Sequence, residues 1–310
     1  MTSDTGVTVT AKAMGNRASA PSVVHEGTYE PKRYSSSRLG AILVRRGKLK
    51  PRDCERVLNY AERKQLRFGE AALKLRLVTR TDIQHAIAEQ FDYPYLSKGE
   101  GGHSKQLVTA YEPFSPTGEK LRNLRAQLLL HWKNSDQKTL AVLSPDDPTN
   151  SSVIAANLAV ACSQSGSATL LVDCDMRRAA QRQFFRANHR VGLSEMLMRR
   201  AGLQDAIHRV ADFRNLSILP AGTLPPNPGD LLVNQDWSDL VVSLRNAFDI
   251  IIFDAPAYGT DSSAEMVARV CGNALIVLQQ GRTYLSDAKS LVKSLEAMNA
   301  QVVGSVMTTF

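Results

Sequence analysis

The sequence has few cysteines and no long hydrophobic run. Its four cysteines lie far apart without a Cys-x-x-Cys pair, and its six histidines show no metal-binding spacing. We therefore expect buried free thiols and no structural metal. No segment approaches the roughly 18 apolar residues that a membrane span requires. The first residues also lack the basic and apolar regions of a signal peptide, so we expect a soluble, cytoplasmic protein.

Positive charge is concentrated near the N-terminus. Between Arg38 and Asp92, thirteen lysines and arginines stand against seven acidic residues, out of a net charge of +8 for the whole chain. Such a segment can attract an anionic ligand, nucleic acid or a membrane surface. We interpret it as a solvated helical face and expect no nucleic-acid partner.

Composition divides the 310-residue chain into four predicted segments. Residues 1–34 have no periodicity and predict a disordered arm. Residues 35–97 predict a small, mainly helical domain, and residues 98–117 have the Gly, Ser and Pro of a linker. In residues 118–310 continuous apolar strands alternate with helices. This alternation indicates an α/β fold with a parallel sheet covered by helices on both faces.

The predicted helical domain contains a tandem repeat. Arg38-Leu39-Gly40 recurs 29 residues later as Arg67-Phe68-Gly69, and several apolar positions downstream also match. Arg76 departs from the pattern, because the second copy should have a glycine there.

The repeat RLGxxLVxxG resembles the N-terminal domain of type II secretion and pilus assembly ATPases. Some members of that domain bind cyclic di-GMP through the RLG arginines and backbone. The resemblance implies that cyclic di-GMP would bind the six residues of the two triplets, namely Arg38, Leu39, Gly40, Arg67, Phe68 and Gly69. Docking of a protein partner is the alternative, and we favour it.

The stretch from Thr139 to Ala159 predicts a buried strand, a loop over residues 144–150 and a helix. Strand, short loop and helix together place backbone N–H groups and a helix N-terminus under a phosphate chain. The residues GxxxxGK[ST] that normally bind the phosphates are missing. Asn150, Ser151 and Ser152 stand where glycine, lysine and serine are expected.

The loop has also become unfavourable for an anion. Pro148 removes one backbone donor, and Asp146 and Asp147 bring negative charge toward the place of a triphosphate. At about 6 Å and an effective dielectric of about 20, each carboxylate would repel a unit charge by about 3 kcal/mol. Arg177 and Arg178 are the cations that we expect to reach a phosphate.

Carboxylates follow two of the later apolar strands. One strand ends in Asp173-Cys174-Asp175, and another ends in Asp254-Ala255-Pro256. Ligands of parallel sheets bind beyond the carboxyl ends of the strands. A nucleotide-bound Mg²⁺ takes one or two carboxylates together with waters and phosphate oxygens. The order of these motifs after the loop therefore predicts a nucleotide-metal site.

The residues at these two strand ends resemble those of a known family. LLVDCDMR and IIIFDAPA resemble the Walker A′ and Walker B motifs of bacterial tyrosine kinases, which are P-loop proteins of capsule and exopolysaccharide synthesis. ExxRxxR, formed by Glu119, Arg122 and Arg125, matches the motif by which that family forms rings. With the RLG repeat in front, the chain is similar to the chain-length-determinant tyrosine kinases of the EpsG type.

The resemblance implies roles for individual residues. Ser152, Asp173, Asp175 and Asp254 would bind Mg²⁺, and the three aspartates would also act in catalysis. Asn150, Ser151 and Ser152 would form a degenerate ATP site, because the lysine position is Ser151. Glu119, Arg122 and Arg125 would make a homo-oligomer. A membrane polysaccharide co-polymerase would be the partner, holding the protein at the cytoplasmic side of the inner membrane.

Three functions remain open at this point. The first is an active protein-tyrosine autokinase with an unusual loop. The second is a pseudokinase that keeps the fold and regulates polysaccharide assembly. The third is a cyclic di-GMP sensor that acts through the repeat. The missing lysine favours the second, since losing one transition-state donor costs about 100–1000-fold in rate. No tyrosine follows Tyr284 in this sequence, whereas those kinases commonly carry a carboxyl-terminal tyrosine cluster.

Overall fold

The computed structural model describes residues 7–10, 37–91, 93–96, 100–133, 138–186, 189–259 and 261–309. The chain forms two compact units. The helical unit comprises residues 13–94, and the α/β unit comprises residues 1–12 and 95–310.

The described part of the helical unit consists of four helices around one apolar core. They are α1 (Ser37–Arg45), α2 (Pro51–Lys64), α3 (Phe68–Lys74) and α4 (Arg80–Gln90). Helix α4 begins with a capping box, in which the Asp82 carboxylate accepts the Thr79 N–H at 2.9 Å and the Thr79 hydroxyl accepts the Asp82 N–H at 3.1 Å. These bonds satisfy donors that a helix N-terminus leaves free.

The two halves of the helical unit repeat the same turn. After α1, the Lys48 N–H donates to the carbonyl of Leu43 at 2.9 Å, and after α3 the Leu77 N–H donates to that of Ala72 at 3.1 Å. Both pairs are 29 residues apart, which confirms the tandem repeat. The turn requires a left-handed residue, supplied by Gly47 in the first copy and by Arg76, at φ +54°, in the second. A side chain in that conformation costs about 1–2 kcal/mol.

The α/β unit contains the remaining elements. Its described helices are α5 (Val108–Tyr111), α6 (Pro116–Lys133), α7 (Pro148–Gln164), α8 (Gln181–Phe185), α9 (Leu193–Leu197), α10 (Leu203–Ala206), α11 (Pro228–Val233), α12 (Gln235–Ala247), α13 (Ser263–Cys271) and α14 (Leu285–Ala297). Its described strands are β1 (Val7–Thr10), β2 (Thr139–Leu143), β3 (Thr169–Asp173), β4 (His208–Arg209), β5 (Leu216–Leu219), β6 (Ile250–Asp254), β7 (Asn273–Gln279) and β8 (Gln301–Thr308).

The described strands form one sheet in the order β1-β8-β7-β2-β6-β3-β5-β4. The six strands between the two edges are parallel, whereas β1 and β4 pair antiparallel at the edges. Alternate strand residues point to opposite faces. Leu140 and Val142 join the core under α5, α6 and α7, while Ala141 and Leu143 join the core under α12 and α13. The predicted α/β fold with helices on both faces is confirmed.

The prediction of a disordered arm is wrong for Val7–Thr10. This segment pairs with β8, with Val7 opposite Thr308 and Thr10 opposite Ser305. Its four residues are all β-branched, which favours a strand over a coil. Residues 1–6 and 11–34 lie outside the described residues.

The prediction of a linker is wrong for most of residues 98–117. Helix α5 and the start of α6 lie there, and Thr109 is fully buried. Its N–H donates to Asn157 Oδ1 in α7 at 3.0 Å, and its carbonyl accepts from Gln164 Nε2 at 2.8 Å. Composition suggested a linker because Gly, Ser and Pro are frequent there, but a few buried anchors fix the segment to α7.

Replacing Asn157 by Ala tests this anchor. The Asn157 amide also donates to the carbonyls of Gln106 and Val153, so the change leaves several buried groups unpaired and should lower the free energy of unfolding by about 3 kcal/mol. Urea unfolding followed by tryptophan fluorescence reports on this unit, because Trp132 and Trp237 both belong to it. The exposed Asn234→Ala is the control, and an equal effect of both variants would contradict the anchor.

Candidate functional site

The loop after β2 differs from the prediction. Helix α7 already begins at Pro148, so the loop spans only residues 144–147. Asp147 is the N-cap, and its Oδ1 accepts the Thr149 N–H at 2.9 Å and the Thr149 hydroxyl at 2.7 Å. The end of α7 that would face a phosphate is therefore capped by a carboxylate of the chain itself. A helix N-terminus attracts any anion, and here the anion is internal.

Cations near the loop neutralise this carboxylate. Arg178 Nη1 lies 3.2 Å from Asp147 Oδ1, and Arg282 Nη1 lies 3.7 Å from Asp147 Oδ2. The hydrogen bonds from Thr149, which outweigh the effect of burial, and the nearby Arg178 hold the pKa of Asp147 below its ordinary value. Arg177, the other arginine expected to reach a phosphate, pairs with Asp261. Both predicted phosphate-binding arginines thus contact carboxylates.

The three residues at the degenerate motif lie inside α7 rather than in a loop. Ser151 is fully buried, and its hydroxyl donates to the Pro148 carbonyl at 2.9 Å. Asn150 is half-buried. Ser152 is buried, and its hydroxyl donates to Asp254 Oδ1 at 3.0 Å. Of these three, only Ser152 joins the predicted metal-binding carboxylates.

The structure brings Asp173 and Asp254 together at the ends of β3 and β6. They are register partners in adjacent parallel strands, and both are fully buried. Gln181, at the start of α8, contacts both carboxylates. Its N–H donates to Asp173 Oδ2 at 3.0 Å, and its Nε2 donates to Asp254 Oδ2 at 2.7 Å and to the Ser152 carbonyl at 3.1 Å. An amide NH₂ therefore lies among oxygens that a metal ion would otherwise take.

Burial makes these acids hard to ionise. It raises the pKa of Asp254 to about 7, although hydrogen bonds from Gln181 and Ser152 oppose the shift. Burial, reinforced by the negative charge of Asp254, raises the pKa of Asp173 well above its ordinary value. Burial also raises the pKa of Asp175, against hydrogen bonds from the Arg178 and Arg177 backbone. All three acids therefore favour the protonated form more than an exposed aspartate does.

The residues do not fit ATP with Mg²⁺. Hydroxyl and carboxylate oxygens are suitable Mg²⁺ ligands, but Gln181 already donates to one oxygen of each buried carboxylate, and the Ser152 hydroxyl donates to Asp254. The part of the chain that the structure describes contains no group of three or more His, Cys, Asp or Glu able to hold a metal ion. On the phosphate side, the helix end is capped by Asp147 and the nearest cations are paired.

The ExxRxxR residues make contacts within the α/β unit. Arg125 Nη1 donates to the Ala161 carbonyl in α7 at 2.9 Å. Arg122 pairs with Glu119 and lies over the Phe114 ring, 5.2 Å from its centre. The Glu119 side chain is 58% exposed and that of Arg122 is 18% exposed. Glu119 is therefore the residue of this motif best placed to contact another molecule, and its role in ring formation stays a prediction.

The RLG residues lie beside a groove of about 1020 Å³ in the helical unit. Leu39, Phe68 and Gly69 line it together with Arg67. Arg38 is exposed, and the buried Gly40 has a packing role, since a Cβ there would lie 2.7 Å from Cys54 Sγ. The charged residues that line the groove are Glu62, Arg67 and Glu70. This balance disfavours a dianionic dinucleotide, and cyclic di-GMP binding stays a prediction.

Sequence reasoning placed Asp147 near the phosphate position but missed its role as N-cap, and it missed Gln181 altogether. Asp147 followed by Pro148 is a helix-start signal, because Asp is a preferred N-cap and Pro a preferred first residue. That signal could have placed the start of α7 correctly. Gln181 has no comparable signal, since only the fold brings it to Asp254, 73 residues away.

A mainly parallel sheet with a strand–loop–helix unit and carboxylates at two adjacent strand ends defines a P-loop NTPase-like domain.

No family model matches the chain. It is 29% identical over 196 residues to the putative tyrosine-protein kinase CapB of Staphylococcus aureus, covering 63% of this chain and 86% of CapB. Tyrosine-protein kinase YwqD of Bacillus subtilis is 27% identical over 213 residues, covering 68% of this chain and 90% of YwqD.

Solved structures agree with these relatives. The chimerical protein CapA2B2 superimposes with a TM-score of 0.62 at 28% identity, covering 72% of this chain and 97% of the chimera. These relatives and the chimera make the chain similar to bacterial tyrosine kinases, as the strand-end motifs predicted. The resemblance of the helical unit to secretion ATPases is not supported by these matches and stays a prediction.

The buried pair predicts that stability falls as pH rises. The folded pKa values lie above the unfolded value of about 3.9, so the folded state holds more protons and loses stability between about pH 4 and pH 7. Asp173→Asn keeps an acceptor for the Gln181 N–H and removes one charge. We expect it to raise the free energy of unfolding near pH 8 by at least about 1 kcal/mol and to flatten the pH dependence.

Urea midpoints at about pH 5 and pH 8 measure this effect. The exposed Asp239→Asn serves as the matched control and should leave the pH profile unchanged. A lower stability of Asp173→Asn at pH 8 would show that the folded protein needs the ionised carboxylate.

Proposed function

We propose that this protein is a pseudokinase of exopolysaccharide biosynthesis, a bacterial tyrosine kinase by descent that regulates polysaccharide assembly without phosphoryl transfer. The observation that carries the proposal is the double internal occupation of the ancestral site. Asp147 caps the helix end where phosphate would bind, and Gln181 donates to the carboxylate and carbonyl oxygens where a metal would bind. Phosphoryl transfer relies on both subsites for positioning and charge stabilisation.

We infer the biological setting from the resemblance to bacterial tyrosine kinases of exopolysaccharide synthesis. The resemblance implies control of chain length and export together with a membrane polysaccharide co-polymerase. Among the described residues, no helix combines the length and apolar character needed to cross a bilayer. We propose that such a co-polymerase recruits this chain to the cytoplasmic side of the inner membrane, where the kinase-like fold acts as a docking module.

Isothermal titration with Mg-ATP and Mg-ADP tests the pseudokinase. We expect no binding at millimolar nucleotide, because the phosphate would have to displace Asp147 and face Asp146 as well. Micromolar binding that Asp173→Ala abolishes would refute the proposal and favour an active autokinase.

A pair of variants measures how much the Asp147 carboxylate weakens nucleotide binding. Ser151→Lys alone restores the missing cation but leaves Asp147 at the helix end. Adding Asp147→Gly to it removes a repulsion of about 3 kcal/mol, and should tighten Mg-ADP binding at least about tenfold. Equal affinities of the single and double variants would show that the internal carboxylate does not exclude nucleotide.

Ring formation through ExxRxxR is tested best at Glu119. Arg125 also holds the Ala161 carbonyl, so removing it would disturb packing as well as any interface. Glu119→Lys changes an exposed side chain and reverses its charge. If the motif joins subunits, sedimentation velocity should show smaller assemblies for Glu119→Lys than for the exposed control Glu296→Lys. Identical profiles would leave Glu119 as surface charge.

A further inference from the structure

The groove of the helical unit is apolar inside and polar at its rim. Seven aliphatic residues line it, six from the four helices and one, Leu66, from the connection between α2 and α3. They are Leu39, Leu58, Ala61, Leu66, Leu73, Ile83 and Ile87. Glu62, Arg67 and Glu70 bring charges of both signs to its lining, and all three are exposed. An open apolar cavity with a polar rim is typical of a docking site for another protein surface.

An apolar stripe on α4 leads out of this groove. Ile83 and Ile87 lie four residues apart and share a face of α4, and Phe91, the C-cap residue of α4, follows four residues later. Exposure increases along the stripe, from 8% at Ile83 through 41% at Ile87 to 73% at Phe91. The helical unit thus presents an apolar groove, called the hole below, and beside it the exposed aromatic side chain of Phe91, called the knob.

A knob beside a hole is self-complementary under two-fold symmetry. In an isologous dimer each copy uses the same surface. The aromatic side chain of each copy therefore enters the groove of the other, and the contact occurs twice. The mixed charges at the groove are also self-complementary, because Arg67 of one copy can face an acidic residue of its mate. Each Phe91 ring supplies about 200 Å² of the roughly 800 Å² that a stable interface buries per partner. In this arrangement the groove lining and its rim would have to supply the remainder.

We propose that the helical unit is a self-association module, in which Phe91 of one copy inserts into the groove of a second copy. This interface is independent of ExxRxxR and of the pseudokinase proposal, because it involves only the helical unit. It predicts that two α/β units are joined through their N-terminal helical units.

Site-specific photo-crosslinking in the full chain tests this arrangement. Phe91 is replaced by the photo-reactive analogue p-benzoylphenylalanine, and isotopically heavy and light chains are mixed before irradiation. We expect crosslinked peptides of mixed isotope composition that join position 91 to groove residues within 58–73. Crosslinks only within one chain would mean that the chain covers its own groove. Either this result or mixed crosslinks only at other positions would overturn the proposal.

Sedimentation equilibrium gives a second, independent readout. Ile87→Lys places a charge in the stripe at an already exposed position, and should weaken self-association at least about tenfold. Val242→Lys, at a 57% exposed position of α12 in the α/β unit, is the matched control. Circular dichroism of both variants checks that the helices remain folded. Equal association constants for the two variants would overturn the proposal.

Discussion

The hydrogen bond between the Asp147 carboxylate and the start of α7 determines what the rest of the site can do. In a P-loop fold the helix N-terminus offers unpaired N–H groups and partial positive charge, which a phosphate normally satisfies. Here the Asp147 carboxylate, only two residues away in sequence, accepts one of them, the Thr149 N–H. An external anion would have to displace a group that is covalently tethered beside its own binding site, and such a tether gives a high effective concentration.

The two aspartates at the strand ends, where a metal ion would bind, are also contacted by a side chain of the protein itself. Two buried carboxylates on adjacent strands repel each other, and a metal ion would ordinarily offset that repulsion. In this protein the Gln181 amide donates to one of them and the Gln181 backbone N–H to the other. Burial raises the pKa of both acids, and the negative charge of Asp254 adds to the shift at Asp173. The interior of the folded protein therefore favours the protonated form of these aspartates.

Much of the fold followed from sequence because its signals are local. Apolar runs predicted a buried strand after Thr139 and strands that end at Asp173 and Asp254, and β2, β3 and β6 lie there. The RLG spacing predicted the repeat that the turns at Gly47 and Arg76 confirm. The meeting of Asp173, Asp254 and Ser152 followed from parallel strands that end at one edge. Gln181 and the anchor between Thr109 and Asn157 could not be predicted, since each depends on contacts between residues distant in sequence.

Local and long-range contacts also explain why a residue of a family motif can be present without its family function. A motif residue can persist because it binds a ligand or because the fold needs it. Gly40 persists for close packing against Cys54, and Arg125 holds a carbonyl of α7. Neither contact requires cyclic di-GMP or a neighbouring subunit. The glycine and lysine positions of the loop, which hold phosphate in the kinases that the chain resembles, are Asn150 and Ser151 here. This pattern is the one that the proposed pseudokinase role predicts.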